Sequence, residues 1–135
     1  MKQYVKGDFE EQHGYSRAVC ASGQGRTVYL AGFGCPYAPD GRSLCDDFEA
    51  QVRGTVAEIS LVLEGLGGGL SDLVDVTVFV TDLSHAGRLF QEWTSAIGGD
   101  YPAGTLVQVE ALALPEMLIE VKGVAVIDGY NTTAD

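Results

Sequence analysis

The sequence predicts an α+β domain in which a mixed β-sheet carries two α-helices on one face. In residues 73–83, LVDVTVFVTDL, every second residue from 74 to 80 is valine, and most residues between them are polar. A repeat of two residues is the period of a β-strand. Between residues 48 and 66 the apolar side chains recur every three or four positions, which is the period of an α-helix. The full chain order is β-β-α-β-α-β-β, and a single sheet face that receives both helices would bury both apolar stripes.

Two strands are predicted before the first helix. Residues 15–20, YSRAVC, alternate, and the turn signal at 23–26 leads into the β-rich run TVYLAGFG at 27–34. The sequence near residue 5 is compatible with a further strand, which is not assigned. Residues 35–43 contain two prolines and an Asp-Gly pair, so they are predicted to form a loop.

The first helix is predicted over about 48–66, with Asp46 or Asp47 as its N-cap. It ends at the glycine run 67–69, because glycine is unfavourable inside a helix and fits the left-handed cap. Its predicted apolar stripe comprises Phe48, Val52, Val56, Ile59, Val62, Leu63 and Leu66.

The second half of the chain repeats the alternation of strand and helix. Ser84 can cap a helix over about 85–97, and two strands follow at about 105–111 and 117–127. In the strand at 73–83, Val74, Val76, Val78 and Val80 are predicted to share one face. The other sheet face would then expose apolar side chains such as Phe79, which predicts self-association through that face.

The length and charge of the chain limit its domain organisation and its possible partners. A chain of 135 residues fits a single domain over 1–135, with a core at about 12–127 and a flexible polar tail at about 128–135. Nineteen acidic residues against eight Lys and Arg give a formal net charge of −11. Because nucleic-acid binding usually needs a basic surface that displaces counterions, no nucleic-acid partner is predicted.

The cysteines and the apolar segments argue against a disulfide-rich, metal-binding, secreted or membrane protein. Cys20, Cys35 and Cys45 are odd in number and lack a CxxC spacing, so reduced thiols are predicted, with neither a disulfide framework nor a metal site. The N-terminus has no apolar stretch typical of a signal peptide, and no apolar run approaches the ~20 residues of a membrane span. A cytoplasmic location with no membrane partner is therefore predicted.

Four segments resemble the Rid (YjgF) family: GYSRAV at 14–19, TVYLAG at 27–32, the long run at 49–83, and YPAGTLVQVEAL…MLIEVKGVAVI at 101–127. The resemblance spans about residues 12–127. It implies a chorismate-mutase-like fold and a homotrimer with a small-molecule site at each subunit interface. It implies no cofactor.

The best-known members hydrolyse reactive enamines and imines, such as 2-aminoacrylate, to ketoacids and ammonia. In those members an arginine at a strand entry, in Pro-Ala-Arg-Ser, binds the substrate carboxylate. Here Gly104 takes that position and Thr105 follows it. Ala31 stands where a small hydroxyl residue is common, Phe90 where asparagine is common, and Leu106 where cysteine is common.

Two family positions persist. Tyr15 matches the pocket tyrosine, and Glu120 matches the acid that positions the attacking water. Arg17 lies two residues after Tyr15 and, on a strand, would share its face, so it is a candidate replacement anchor for an anion. The predicted site residues are Glu120 and Tyr15 as catalytic groups, with Gly104, Thr105, Phe33, Phe90, Arg17 and Ala31 as substrate-binding positions.

Each residue also has a plainer interpretation. Gly104 could ease the turn after Pro102, Glu120 could keep an edge strand soluble, and Arg17 could be a surface charge. His13 is expected to be solvated, and Trp93 to be core.

The two functional hypotheses are a divergent imine- or enamine-processing enzyme of a specialised pathway, distinct from a general 2-aminoacrylate deaminase, and a non-catalytic trimeric ligand-binding or regulatory module. Ribonuclease activity, also associated with the family, is poorly supported by the acidic charge.

Overall fold

The structure, a computed structural model, describes residues 1–129, and these form six β-strands and three α-helices. Residues 130–135, most of the predicted tail, lie outside the described residues. In chain order the elements are β1 Lys2–Val5, α1 Asp8–Gln12, β2 Ala18–Ala21, β3 Gly25–Phe33, α2 Phe48–Gly65, β4 Leu73–Val80, α3 Ala86–Ile97, β5 Ala103–Gln108 and β6 Ile119–Asp128.

The main sheet has four strands in the order β3-β6-β4-β5. The β3–β6 and β6–β4 pairs are antiparallel, whereas β4 and β5 run parallel with α3 as their crossover. The strands β1 and β2 form a separate antiparallel pair. The mixed sheet and its helices confirm the predicted α+β fold class.

The hydrophobic core lies between one face of the main sheet and the two long helices. Val76, Val78 and Val80 of β4 and alternate residues of β6 contact the buried stripes of α2 and α3. The fully buried Gln51 of α2 fixes the entry to β6, because its Nε2 donates to the carbonyls of Leu44 and Glu116, both at 2.8 Å. Satisfied amide hydrogen bonds make this buried polar group compatible with the core.

The predicted face of β4 is wrong at its first residues. Leu73 is buried and Val74 is only half-buried, because the pairing with β6 shifts register between Leu73 and Asp75. A bulge of this kind inserts one residue and reverses the alternation on its N-terminal side. The prediction holds for Val76, Val78 and Val80.

The N-terminal region differs most from the prediction. The strand predicted at 15–20 begins only at Ala18, because the chain turns at 13–14 and bends at Arg17. The strand left open near residue 5 exists as β1, and the short helix α1 was not predicted. Asp128, assigned to the loose tail, belongs to β6 and accepts a hydrogen bond from Lys2 Nζ at 2.6 Å.

The second face of the main sheet carries no helix in the described part of the chain. It presents Phe79 of β4, Val107 of β5, and Glu120, Val124 and Val126 of β6. On β3, Tyr29 is 81% exposed. We call this surface the open face. Separately, no helix within residues 1–129 is long and apolar enough to cross a membrane.

Candidate functional site

A cavity of about 320 Å³ lies at the β5 edge of the main sheet, on the side that carries the helices. Its wall combines α1 and the turn after it with α3, β4 and β5. The lining residues are Phe9, His13, Gly14, Tyr15, Val76, Val78, Leu89, Phe90, Trp93, Gly104, Thr105 and Leu106.

The parallel pairing of β4 and β5 sets the floor of the cavity. Val76 lies opposite Gly104, and Val78 lies opposite Leu106. A Cβ added at Gly104 would lie 3.4 Å from Val76 Cγ2 and 3.7 Å from Tyr15 Cβ, which are ordinary van der Waals contacts. Gly104 is also outside the positive-φ region that favours glycine. The turn therefore does not require glycine at position 104, and its missing side chain leaves space.

Three hydrogen bonds from Trp93 and Ser16 help to hold the segment that carries Tyr15. The indole Nε1–H of Trp93 donates to the Gly14 carbonyl at 2.9 Å. Ser16 donates from its backbone N–H to Pro102 O at 2.9 Å and from its hydroxyl to Tyr101 O at 2.6 Å. These bonds place Tyr15 beside Gly104, as the predicted pocket requires.

Aromatic rings form much of the wall. The ring of His13 stacks on Phe9 with centroids 4.2 Å apart, and it meets Phe90 edge-on at 5.0 Å. His13 is half-buried, so the expectation that it is solvated is wrong. Trp93 is core, as predicted, and it also lines the cavity. Phe9 and His13 were missed as site residues because they belong to α1 and its C-cap, and that five-residue helix has no apolar periodicity.

No lysine or arginine is among the described residues that line the cavity. Arg17, the candidate replacement anchor, has a side chain that is 66% exposed, and its Nε lies 3.8 Å from Glu10 Oε2. Its predicted common face with Tyr15 depended on a strand over 15–20, and the bend at Arg17 removes that strand. The described lining therefore offers a carboxylate no guanidinium or ammonium group.

Glu120 lies on the open face, on the opposite side of the sheet from Gly104. It pairs with Phe79, which pairs in turn with Val107. Gly32 makes room for the Glu120 carboxylate, because a Cβ at that glycine would overlap it. Two strand spacings and three residues separate Glu120 from Gly104, which amounts to roughly 14 Å between Cα atoms. A single chain thus does not bring Glu120 together with Tyr15 and Gly104.

The remaining predicted positions do not form one site. Phe90 and Thr105 line the cavity, but the register of β5 directs the Thr105 side chain to the open face, opposite Thr77. Ala31 is exposed on β3, and Phe33, at the end of that strand, packs against the core. Within residues 1–129, no group of three His, Cys, Asp or Glu side chains is placed to hold a metal ion, and all three cysteines are free.

The sequence pattern of the family described as Endoribonuclease L-PSP matches residues 6–127, which is most of the chain. This chain is a member of the Rid (YjgF) family. It is 30% identical over 112 residues to a RutC family protein of Pyrococcus abyssi, which covers 82% of this chain and 84% of that protein.

Solved structures show the same Rid fold. A Rid family protein of unknown function from Yersinia pestis is 27% identical and covers 92% of this chain and 97% of its own, with a TM-score of 0.78. A member of the YjgF/YER057c/UK114 family from Mycobacterium tuberculosis is 30% identical and covers 94% and 100%, with a TM-score of 0.66. These similarities confirm the predicted family.

Proposed function

We propose that this Rid protein hydrolyses a reactive imine or enamine whose substituent is bulky and apolar and which lacks a carboxylate. One observation carries the proposal: Gly104 opens onto an aromatic-walled cavity of about 320 Å³ whose described lining includes no lysine or arginine. A small anionic substrate such as 2-aminoacrylate would find no guanidinium or ammonium group there. An apolar ligand would find Phe9, Phe90 and Trp93.

Estimated binding free energies also favour an apolar substrate over a carboxylate. A hydrogen bond to a charged group contributes about 1.5–3 kcal/mol, so an absent guanidinium weakens carboxylate binding by roughly tenfold to over a hundredfold. An aromatic ring that buries about 100 Å² of apolar surface would contribute about 2.5 kcal/mol. The two free energies are similar in size. A ligand with an aromatic ring in place of its carboxylate would therefore bind this cavity about as tightly as a carboxylate ligand binds a site that has the arginine.

The proposed chemistry consumes one water molecule. The Glu120 carboxylate takes a proton from water as the water oxygen attacks the imine carbon, and the carboxyl group so formed returns that proton to the imine nitrogen. In the resulting carbinolamine, Glu120 moves the hydroxyl proton to the nitrogen as the C–N bond breaks, which releases ammonia and a carbonyl compound. Tyr15 would orient the substrate, and no cofactor enters this scheme.

The scheme needs a second chain, because Glu120 and the cavity lie on opposite faces of the sheet. We propose a homotrimer in which the Glu120 of one chain, with Ala31, approaches the β5 edge of the next. The open face supports association, since Tyr29 is 81% exposed there. Light scattering on the purified protein should give the trimer mass. The predicted cytoplasmic location remains part of this proposal.

A matched pair of substrates tests the function. Phenylalanine with an amino-acid oxidase and phenethylamine with an amine oxidase generate imines that share a benzyl group and differ in the carboxylate. The protein should accelerate ammonia release from the phenethylamine imine more than from the phenylalanine imine. Glu120→Gln should abolish the acceleration, whereas Glu110→Gln, at an exposed position after β5, should keep it.

Fastest turnover with 2-aminoacrylate would contradict the proposal, as would full activity in Glu120→Gln. The position of Glu120 on the opposite face from the cavity favours one other candidate function, a non-catalytic ligand-binding module. In that case calorimetry would detect binding of apolar ligands, and no imine would be hydrolysed faster than in buffer.

A further inference from the structure

His13 occupies an unusual place in the cavity wall. Its imidazole is held between two other lining residues, stacked on Phe9 at 4.2 Å and edge-on to Phe90 at 5.0 Å between centroids. Two ring contacts fix the plane of the imidazole. Any hydrogen bond that the ring makes with a ligand would therefore have a defined direction and a small entropic cost.

The backbone fixes the tautomer of this histidine. His13 Nδ1 lies 2.6 Å from the carbonyl oxygen of Phe9. A carbonyl oxygen only accepts, so Nδ1 must carry the hydrogen and donate it. In the neutral ring the lone pair is then on Nε2, and residues 1–129 supply no hydrogen bond to that atom.

The other polar side chains of the wall offer different chemistry. The Trp93 indole nitrogen donates to Gly14 O, and it has no lone pair to offer. Tyr15 contributes a hydroxyl group, whereas the Thr105 side chain lies on the open face, opposite Thr77. Among the described lining residues, His13 alone has a ring nitrogen that can accept a hydrogen bond.

We propose that His13 contacts the ligand directly, with Nε2 accepting a hydrogen bond from an N–H or O–H group of an otherwise apolar molecule. This inference rests on the proposed function, because the N–H of an imine is such a donor. It narrows the substrate class to an uncharged, ring-sized ligand with one hydrogen-bond donor.

A purely structural His13 would stack between Phe9 and Phe90 without touching the ligand. His13→Phe separates the two roles, because phenylalanine retains the ring contacts and loses the nitrogen lone pair. Indole and 1-methylindole are suitable probes, since they have nearly the same shape and only indole has an N–H donor. Both are smaller than the cavity of about 320 Å³.

The test measures both dissociation constants by NMR titration of the full chain. The unsubstituted protein should bind indole about two- to tenfold more tightly than 1-methylindole, the range of one neutral hydrogen bond. His13→Phe should bind the two probes equally and keep its affinity for 1-methylindole. Gln12→Ala, which alters the exposed neighbouring residue, should retain the preference for indole.

A long-range ¹H–¹⁵N spectrum of the free protein should show His13 as the Nδ1–H tautomer. The inference is overturned by an Nε2–H tautomer, by a preference for indole that survives in His13→Phe, or by equal binding of both probes to the unsubstituted protein. Equal binding would leave the proposed function standing. Failure of both probes to bind would overturn the cavity as an apolar ligand site as well.

Discussion

The two strands that flank β4 have contrasting environments. On one side, β6 spans ten residues, bonds to β3 and β4 at once, and buries alternate side chains in the core. On the other side, β5 spans six residues, bonds only to β4 within the main sheet, and forms the floor of the cavity. The comparison suggests that the fold depends on β6, while β5 is free to vary with the ligand.

Two glycines make the contrast concrete. Gly123 of β6 and Gly104 of β5 both lie opposite Val76, one on each side of it. A Cβ at Gly123 would lie 2.5 Å from the Asp75 carbonyl oxygen, so the close approach of the two strands requires glycine there. At Gly104 the same atom would make ordinary contacts. The glycine of β6 therefore serves packing, and the glycine of β5 serves the cavity.

The largest expected effect is on stability. Gly123→Ala should lower the free energy of unfolding by about 3 kcal/mol, because the new methyl group meets backbone atoms of a central strand that cannot rotate away. The matched variant Gly104→Ala should change it by about 0.5 kcal/mol or less, or raise it slightly by restricting the unfolded chain. Urea denaturation of both variants measures the difference. Equal losses in the two would contradict the comparison.

An arginine at position 104 should restore anion binding. Gly104→Arg places a guanidinium where the cavity has space, so benzoate should bind about tenfold to a hundredfold more tightly than to the unsubstituted protein. Isothermal titration at low salt measures this gain. Gly87→Arg is the control, since it adds the same charge on an exposed turn of α3 with no neighbour near its Cβ.

If both arginine variants gain benzoate affinity equally, the added net charge explains the result and the cavity does not. If neither gains affinity, position 104 does not face a ligand site. A gain in Gly104→Arg with unchanged stability would support β5 as the variable strand.

The smallest effect concerns the end of β6, where the Asp128 carboxylate forms ion pairs with Lys2 and the N-terminal ammonium. Hydrogen bonds from Lys2 and from the N-terminal ammonium lower the pKa of the Asp128 carboxyl. Burial would lower the pKa of Lys2, but its hydrogen bonds to Asp128 and Asp72 outweigh burial and raise it.

These shifts define a pH window for stability. The lowered pKa of Asp128 gives a contribution that is present above its unfolded value, near 3.9, and lost as pH falls through the folded value. The raised pKa of Lys2 gives one that is complete below about 10.4 and lost as pH rises through the folded value. Asp128→Asn should therefore lower the urea midpoint at pH 7 and change it less at pH 2.5. An equal loss at both pH values would exclude the charge as the cause.

The sequence predicted the central elements well for a physical reason. The helices at 48–66 and 85–97 and the strands at 73–83 and 117–127 have long, uninterrupted periodicities, and the structure places α2, α3, β4 and β6 there. The strand predicted at about 105–111 is Ala103–Gln108, which starts two residues earlier and ends three residues earlier. Short elements such as α1 carry too few residues for a period to be detected.

The site was less predictable because it depends on contacts between distant segments. Alternation shows that Glu120 and Val121 face opposite sides, but only the strand order shows that Glu120 lies away from Gly104. Likewise, nothing local to His13 indicates that it stacks between Phe9 and Phe90, since Phe90 belongs to α3. Gly104 itself was identified by its departure from the family pattern, a signal that composition does not contain.

Trp93 is the sole tryptophan of the 135 residues, and its indole stands in the cavity wall with its N–H bonded to Gly14. Its intrinsic fluorescence is therefore a built-in reporter of occupancy: a molecule that enters beside the indole should shift or quench the emission without any attached dye. Compound collections could be screened against the unmodified protein at micromolar concentration in this way.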